Sequence, residues 1–262
     1  MRIATWCVNG INARLKYLCH WLASRKPDLV ALQKTFAATD KFPADALRQA
    51  GYESVFYSCD REFQNGWGVA VLSRRNGPKP EVLQVGLPCQ WDRGARFLTV
   101  RTGDLEFSSV YALYGNPKKH GFEGALKLKI KWLKLLREHL DKRSTRSEHC
   151  ILAGDFNVVS DGKTLAGALN YTKEAREELN DILGLGFCDL YRRRHPCRNG
   201  YNYGFNIHKP VSSRLHRILG SCDVAKRLRE ACVDLKYRKE IPELPGCLWA
   251  QGAPVIVDLS SE

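Results

Sequence analysis

Short runs of apolar and β-branched residues recur along the whole chain, separated by polar residues, glycine or proline. Runs of this length and composition are typical of β-strands. So many strands predict two packed sheets and not a helical bundle. The predicted strands cover 3–8, 29–33, 55–58, 68–73, 97–101, 105–112, 150–155, 215–219, 232–237 and 255–259.

Apolar residues at helical spacing mark further segments. Leu15, Leu18 and Leu22 share one face and the pattern stops at Pro27, which predicts a helix over 11–22. A longer apolar stripe predicts a helix over 122–140. A third helix is predicted over 172–183, with Gly184 and Gly186 as C-terminal stops.

The chain shows no proline- or serine-rich linker, no repeat of fixed period and no low-complexity tract. A single domain over 1–262 is therefore the simplest prediction. Strands spread along the full length, with helices between some of them, predict an α/β sandwich of two mixed sheets flanked by helices.

Charge narrows the class of partner. The 262 residues contain 41 lysines and arginines against 28 aspartates and glutamates, a formal net charge of +13, while 44% of residues are hydrophobic. The apolar content supports a substantial core and excludes disorder. The basic excess favours a polyanionic partner.

Cysteine usage and hydropathy point to a cytoplasmic protein. The ten cysteines are scattered, with no C-x-x-C pair, so we expect reduced, mostly buried thiols. No apolar run is long enough to span a membrane, and the first residues do not resemble a secretory signal. We expect a cytoplasmic monomer that does not bind membranes.

Basic residues concentrate in three clusters. Between Lys118 and Arg146 ten basic residues stand against three acidic ones, and further clusters lie at 192–198 and 226–239. Solvated helix faces would explain any single lysine. Three clusters interleaved with tyrosines such as Tyr203 instead favour nucleic acid, because phosphates need the charge and bases stack on rings.

Nine segments in order resemble one known family, the exonuclease III and AP endonuclease family of the wider endonuclease/exonuclease/phosphatase superfamily. Gly-Asp-Phe-Asn at 154–157, after an apolar strand, is the most specific of them. The others lie at 3–14, 27–33, 68–73, 95–98, 111–117, 186–189, 214–219 and 253–255.

The resemblance implies a fold and a chemistry. The fold is a four-layered, DNase I-like α/β sandwich with its active site where strand ends of both sheets meet. The activity is hydrolysis of DNA phosphodiesters with a divalent ion, usually Mg²⁺. Carboxylates would hold the metal, which offsets charge on the phosphate, while acid and base groups serve the attacking water and the developing charge.

Several positions of this sequence depart from the family pattern. Lys34 replaces the glutamate that is the principal metal ligand, and His216 replaces an aspartate. Gln251 and Gly252 replace the aspartate and histidine of the terminal Ser-Asp-His-Ala-Pro-Val motif. Cys7 replaces an asparagine. In addition, Leu113 and Tyr114 replace the proline and asparagine of Tyr-x-Pro-Asn-Gly.

The retained positions are Asn9, Tyr111, Asp155 and Asn157, of which Tyr111, Asp155 and Asn157 are the candidate catalytic residues. The family site carries about −4 in carboxylates, whereas Asp155 and Lys34 here sum to zero. A hard divalent ion needs several anionic oxygens. We therefore expect no tight Mg²⁺ site, with Asn9 and Asp155 as vestigial ligands.

Individual replacements leave alternatives open. Lys34 pairs with Asp155, stands in for the metal and binds a phosphate directly, or does both, since a lysine paired with Asp155 can still face a phosphate. His216 is either a satisfied, partly buried side chain or a base. Cys7 is either a packed thiol or a reactive one, if Lys34 lowers its pKa. Tyr111 and Asn157 either brace strand ends or contact phosphate.

The leading hypothesis is a catalytically impaired family member that binds nucleic acid, expected to be double-stranded DNA, without a tightly bound cofactor. The first alternative is an active, diverged Mg²⁺-dependent exonuclease III or AP endonuclease in DNA repair. The second is a non-enzymatic regulatory or interaction module. The residues expected to contact nucleic acid are Arg96, Lys118, Lys119, Lys129, Arg193 and Tyr203.

Overall fold

The structure is a computed structural model that describes residues 1–60, 67–89, 92, 94–144, 149–160, 168–204, 210, 212–239, 241–247, 250 and 252–260. These residues form twelve strands and six α-helices. In chain order they are β1 (Arg2–Cys7), α1 (Leu15–Arg25), β2 (Leu29–Gln33), α2 (Ala44–Gln49), β3 (Ser54–Cys59), β4 (Gly68–Ser73), β5 (Glu81–Val85), β6 (Phe97–Thr102), β7 (Leu105–Tyr111), α3 (Pro117–Ser144), β8 (Cys150–Asp155), α4 (Lys173–Gly184), β9 (Phe187–Asp189), α5 (Leu190–Arg194), β10 (His216–Ser221), α6 (Cys222–Lys226), β11 (Leu228–Val233) and β12 (Val255–Leu259).

The strands form two six-stranded sheets, ordered β11-β12-β1-β2-β4-β3 and β5-β6-β7-β8-β10-β9. Each sheet contains a parallel pair, β1 with β2 in the first and β7 with β8 in the second. The remaining neighbours run antiparallel. The prediction of two mixed sheets is therefore confirmed.

Alternating side chains build the four layers. Along β1, Ile3 points into the core between the two sheets, whereas Ala4 packs on the outer side, where Trp21 of α1 lies. On the outer face of the second sheet, Leu152 of β8 packs with Trp132 of α3. Because both faces of the central strands are covered, these strands read as continuous apolar runs.

Several elements differ from the prediction, among them the short helices α2, α5 and α6, which were not predicted. β5 is an edge strand with mostly exposed side chains, and β9 has three residues, so neither shows a strong apolar pattern. The strand predicted over 232–237 is wrong beyond Val233, where the chain turns into a 3-10 helix at Leu235–Arg238. The long helix begins earlier, at Pro117, and is kinked at Gly121, whose φ is 65°.

The cysteines are all free, as expected. However, the prediction that most are buried is wrong: Cys7 is buried, six cysteines are half-buried, and Cys197, Cys222 and Cys232 are exposed. None of the helices in the described part of the chain has the length and apolarity to cross a membrane.

The topology brings strand ends of both sheets together. The C-terminal ends of the parallel strands β1 and β2 carry Cys7 and Lys34, and those of β7 and β8 carry Tyr111 and Asp155. His216 begins β10 directly opposite Asp155. Residues far apart in sequence therefore meet at one edge of the sandwich.

Candidate functional site

A buried ion pair lies at the centre of this edge. The Lys34 Nζ lies 3.0 Å from Asp155 Oδ2, and the Asp155 side chain is fully buried. Asp155 Oδ1 accepts a hydrogen bond from the backbone N–H of Asn157 at 2.9 Å. The expectation that Lys34 pairs with Asp155 is confirmed.

Both members of the pair are ionised. Burial alone would raise the pKa of the Asp155 carboxyl, but the Lys34 ammonium and the His216 ring outweigh it, so this pKa lies below its ordinary value. Burial would lower the pKa of Lys34, yet Asp155 and Cys7 raise it well above its ordinary value. The ammonium thus provides the charge that offsets a carboxylate removed from water.

The His216 ring occupies the space in which a side chain at Gly252 would lie. A Cβ at Gly252 would lie 2.0 Å from His216 Cε1 and 2.9 Å from Nδ1. The Gly252 carbonyl accepts a hydrogen bond from the Trp6 indole at 2.8 Å, which fixes this backbone against the ring. An imidazole is therefore present in the site, but it is carried by β10 and not by the terminal segment.

Burial keeps the His216 ring neutral. It lowers the pKa of His216 to about 4, with Lys34 adding to the shift and Asp155 opposing it. Nε2 is 3.9 Å from Asp155 Oδ2, and the side chain is fully buried. His216 is therefore not an accessible base at neutral pH.

Cys7 is buried and protonated. Burial raises the pKa of its thiol to about 12, and the Lys34 ammonium opposes this shift only in part. The hypothesis of a reactive thiol is therefore wrong, because the nucleophilic form is the thiolate.

A cavity of about 790 Å³ opens beside the ion pair. Its wall carries the basic side chains Lys34, Arg96 and Lys118, and the described lining contains no carboxylate. The aromatic wall consists of Phe36, Trp67, Tyr111, Tyr114, Tyr171 and Tyr203. We call this cavity the aromatic pocket.

Cations lie over rings within the aromatic pocket. The Arg96 guanidinium carbon is 4.6 Å from the Tyr111 ring centre and 5.5 Å from that of Trp67. The Lys34 Nζ is 5.2 Å from the Tyr111 ring centre and 6.0 Å from that of Tyr203. These arrangements hold positive charge against apolar surface, a combination that suits a phosphate carrying a base or sugar.

Three of the four retained family positions, Asn9, Tyr111 and Asn157, line this pocket. Four lining residues have an unusual backbone conformation, since Asn9, Lys34, Phe36 and Asn157 all have positive φ, between 46° and 54°. Hydrogen bonds hold the turn after β2, since Gly10 N–H donates to the Lys34 carbonyl at 2.8 Å. Such conformations cost free energy in non-glycine residues and cluster at functional sites.

Tyr111 and Asn157 also have structural roles. The Asn157 amide donates to the Ala112 carbonyl at 2.7 Å, and the Tyr111 backbone N–H donates to the Arg96 carbonyl at 2.8 Å. Burial raises the pKa of Tyr111 to about 12, so its hydroxyl stays protonated. Asn157 therefore braces a strand end through its side chain and Tyr111 through its backbone, and both residues line the pocket.

Lys129 was predicted to contact nucleic acid, but the structure places it in the interior. Its side chain is fully buried, and its ammonium donates to the carbonyls of Asn157 and Leu169 and to Asn170 Oδ1. Burial lowers its pKa to about 7. Lys129 therefore does not lie on an exposed face; it joins two loops under the pocket.

The other predicted contacts lie in different places. Lys118 and Tyr203 line the pocket, and Lys119 is an exposed neighbour of Lys118. Arg193 is exposed on α5 and donates to the Ala225 carbonyl at 3.2 Å, away from the lining. Gln251 lies outside the described residues.

Phe36 and Trp67 were missed by the sequence reasoning. The two rings are 4.7 Å apart between centres, and Trp67 is 39% exposed. Trp67 directly precedes the strand predicted at 68–73, and Phe36 follows the strand predicted at 29–33 by three residues; this proximity was the available signal.

The described residues do not fit a Mg²⁺ site of the kind the resemblance implies. The oxygen of Asp155 that would face the ion contacts an ammonium instead, and the neighbouring side chains are a thiol and an imidazole. Mg²⁺ requires oxygen ligands in near-ideal octahedral geometry.

Comparison with known proteins identifies the family of this chain. A family model described as the Endonuclease/Exonuclease/phosphatase family matches residues 4–228. The chain belongs to this family. Among curated relatives, it is 22% identical to exodeoxyribonuclease III of Haemophilus influenzae over 96% of this chain and 99% of that one. It is 25% identical to recombination repair protein 1 of Drosophila melanogaster, covering 98% of this chain but only 37% of the relative.

Solved structures match along the whole chain. An AP endonuclease from Archaeoglobus fulgidus superposes with a TM-score of 0.85 at 25% identity, covering 100% of both chains. The 3′ phosphatase NExo from Neisseria, bound to a product DNA hairpin, superposes with a TM-score of 0.84 at 26% identity and the same coverage. The four-layered DNase I-like sandwich is thus the fold of this chain, and the family resemblance is confirmed.

Proposed function

We propose that this protein binds double-stranded DNA at the aromatic pocket and does not hydrolyse its phosphodiester backbone with Mg²⁺. The observation that carries the proposal is the contact of 3.0 Å between Lys34 Nζ and Asp155 Oδ2. It places a fixed cation on the carboxylate that would otherwise hold a metal ion or orient water.

Binding is supported by the charge and shape of the pocket. Lys34, Arg96 and Lys118 line it, and no carboxylate is among the described lining residues, because Asp155, the ion-pair partner of Lys34, lies outside the lining. Arg96 Nη1 is buried with no hydrogen-bond partner in the part of the chain described, so a phosphate oxygen would satisfy it. The exposed rings of Trp67 and Tyr114 offer stacking surfaces for bases.

The proposed absence of hydrolysis is supported by burial and ion pairing. The His216 and Cys7 side chains are buried and outside the described pocket lining, and Asp155 is held by Lys34. None of the three therefore offers an acid or a base to the pocket, whereas phosphodiester hydrolysis needs groups that orient water and receive charge.

The binding test measures fluorescence anisotropy of a labelled DNA hairpin over a series of salt concentrations. We expect affinity to fall steeply with salt, because lysines and arginines displace counterions from phosphates. Arg96→Ala should weaken binding and make this dependence shallower. Arg75→Ala is the matched control, since Arg75 is exposed beyond the far end of β4. Weak, salt-independent binding would instead favour an interaction module.

The cleavage test uses duplexes with an abasic site or a recessed 3′ end, incubated with Mg²⁺, Mn²⁺ or Zn²⁺. We expect no product above a chelated control. An active nuclease is the second candidate, favoured by the ionised Asp155 beside Asn157 and by relatives that carry nuclease names. Metal-dependent cleavage abolished by both Asp155→Ala and Asn157→Ala would establish that candidate and reject ours.

A further inference from the structure

Three potential metal ligands meet beneath Lys34. The Cys7 sulfur, a carboxylate oxygen of Asp155 and a ring nitrogen of His216 all lie within 4.8 Å of one another. They come from the ends of β1 and β8 and the start of β10, and all three side chains are buried. Three strands of two sheets therefore converge on one small volume.

The His216 ring has unsatisfied atoms. Both of its nitrogens have no hydrogen-bond partner among the described residues, although the nearby Ala253 backbone raises the pKa of the ring. Buried polar atoms are rarely left this way, and each costs about 1–3 kcal/mol. Asp155 Oδ2 lies 3.9 Å from Nε2, and its polar contact is the Lys34 ammonium at 3.0 Å. A ligand bound between the two side chains would satisfy the imidazole.

The donor set identifies the class of ligand. A thiolate, an imidazole and a carboxylate suit Zn²⁺, whereas Mg²⁺ prefers oxygen atoms alone. Zinc binds nitrogen, oxygen and sulfur ligands at about 2.0–2.3 Å, and the three donor atoms already lie within 4.8 Å of one another. Three protein ligands also leave a fourth position open, as in catalytic zinc sites.

The ligand set differs from the one that the family resemblance implies. There the principal ligand would occupy the position of Lys34, and Cys7 would be an asparagine. Here the replacements at Cys7 and His216 both introduce softer donors beside the retained Asp155. Random loss of the ligands of an oxygen-rich metal site would not be expected to introduce two softer donor atoms together.

We propose that Cys7, Asp155 and His216 bind Zn²⁺, and that Lys34 is a displaceable plug over this site. On binding, the Cys7 thiol releases its proton to solvent and a sulfur–zinc bond forms. The Lys34 ammonium keeps its proton and leaves Asp155 for the aromatic pocket, where the Tyr111 and Tyr203 rings already lie within 6.0 Å. Zinc, thiolate and carboxylate then sum to zero charge, so Asp155 stays compensated.

The proposal concerns the floor of the same pocket as the proposed function, but its test contains no DNA, so either can fail alone. Full-length protein is stripped with a chelator and titrated with Co²⁺, which reports zinc sites spectroscopically. We expect a one-to-one complex with a thiolate-to-cobalt charge-transfer band and the visible bands of a tetrahedral ion. Zn²⁺ should displace Co²⁺, whereas excess Mg²⁺ should not.

Variants assign the ligands. Cys7→Ser and His216→Asn should each weaken Co²⁺ binding by more than about tenfold. Changing a residue that only hydrogen-bonds to a metal ligand already lowers metal affinity by about that factor, and loss of a ligand should cost more. Cys19→Ser is the matched control, because Cys19 is a partly buried cysteine on α1 outside the cluster. Lys34→Met should tighten binding by at least about tenfold, since it removes a competing positive charge.

Three results would overturn the proposal: no stoichiometric Co²⁺ spectrum, a charge-transfer band that persists in Cys7→Ser, or displacement by Mg²⁺. Misfolding of the variants would not produce the expected pattern, because Lys34→Met is expected to bind Co²⁺ more tightly than the wild-type protein. An unchanged affinity in Lys34→Met would reject the plug. Cleavage of DNA with Mg²⁺ would reject the proposed function and leave the cobalt result standing.

Discussion

Replacing Lys34 by methionine removes one partner of a buried ion pair and keeps most of the apolar volume. Asp155 is fully buried and the Lys34 side chain is only 15% exposed, so little water is available to take over from the ammonium. Truncating one member of such a pair costs about 3–5 kcal/mol, because the remaining charge is left without compensation. We expect Lys34→Met to lower the free energy of unfolding by an amount in this range at pH 7.

The stability difference between Lys34→Met and the wild-type protein should depend on pH in a defined direction. In the wild-type protein the pKa of Asp155 lies below 3.8, so its stabilising contribution is complete above that value and is lost as pH falls through the folded-state pKa. In Lys34→Met, burial dominates and raises the pKa of Asp155. The variant should therefore be most destabilised at neutral pH, and the difference from wild type should shrink as the solution is acidified.

The assay is urea unfolding followed by circular dichroism at several pH values, with the Lys34→Met, Asp155→Asn and double variants. The double variant should recover most of the loss, since no buried charge remains. Asp155→Asn alone should cost less than Lys34→Met, because the ammonium can turn towards the pocket. A loss in Lys34→Met that is equally large at acidic and neutral pH would refute the reasoning.

Other predictions concern the same region. Gly252→Ala should cost about 1–3 kcal/mol in urea unfolding, because its Cβ would lie 2.0 Å from His216, and His216→Ala should remove most of this cost; an equal cost in both backgrounds would contradict it. Since the folded pKa of His216 is about 4 and its ordinary value 6.5, the unfolded state binds more protons between these values, and stability should fall by roughly 3 kcal/mol on acidification across that interval. His216→Gln should flatten that part of the pH profile; an unchanged profile would show that another group causes it. Lys118→Ala should reduce the slope of log affinity for DNA against log salt by about one, whereas Lys129→Met should leave the slope unchanged and lower stability, measured by anisotropy and urea unfolding. A shallower slope in Lys129→Met would contradict its buried placement.

The position of Lys129 shows where sequence reasoning stopped short. It lies four residues after Ala125 and four before Leu133, two buried members of the α3 stripe. Helical spacing alone therefore placed its side chain on the inner face. The prediction of a surface contact rested on the positive charge of the side chain. The three oxygen atoms that accept its hydrogen bonds, and so make its burial possible, come from segments 28 to 41 residues away in the sequence.

The exchange between His216 and Gly252 marks a different limit. In the sequence these appear as two independent losses, 36 positions apart, at sites where the family carries an aspartate and a histidine. In the structure the His216 ring occupies the space that a side chain at position 252 would need, so the two replacements are sterically coupled. Only the pairing of β10 with β8 and the bridge between Tyr203 and Gly252 bring them together.

The sequence by itself determined the two-sheet architecture, the basic excess and the positions at which this chain departs from its family. These follow from local patterns, because short continuous apolar runs mark strands that are covered on both faces, and composition reports net charge. The tertiary structure alone decided that Lys34 neutralises Asp155, that Cys7 and His216 are uncharged, and that both face the same carboxylate. The physical reason is that a buried group's charge state depends on its neighbours and on its distance from water, and neither quantity is written in the order of the residues.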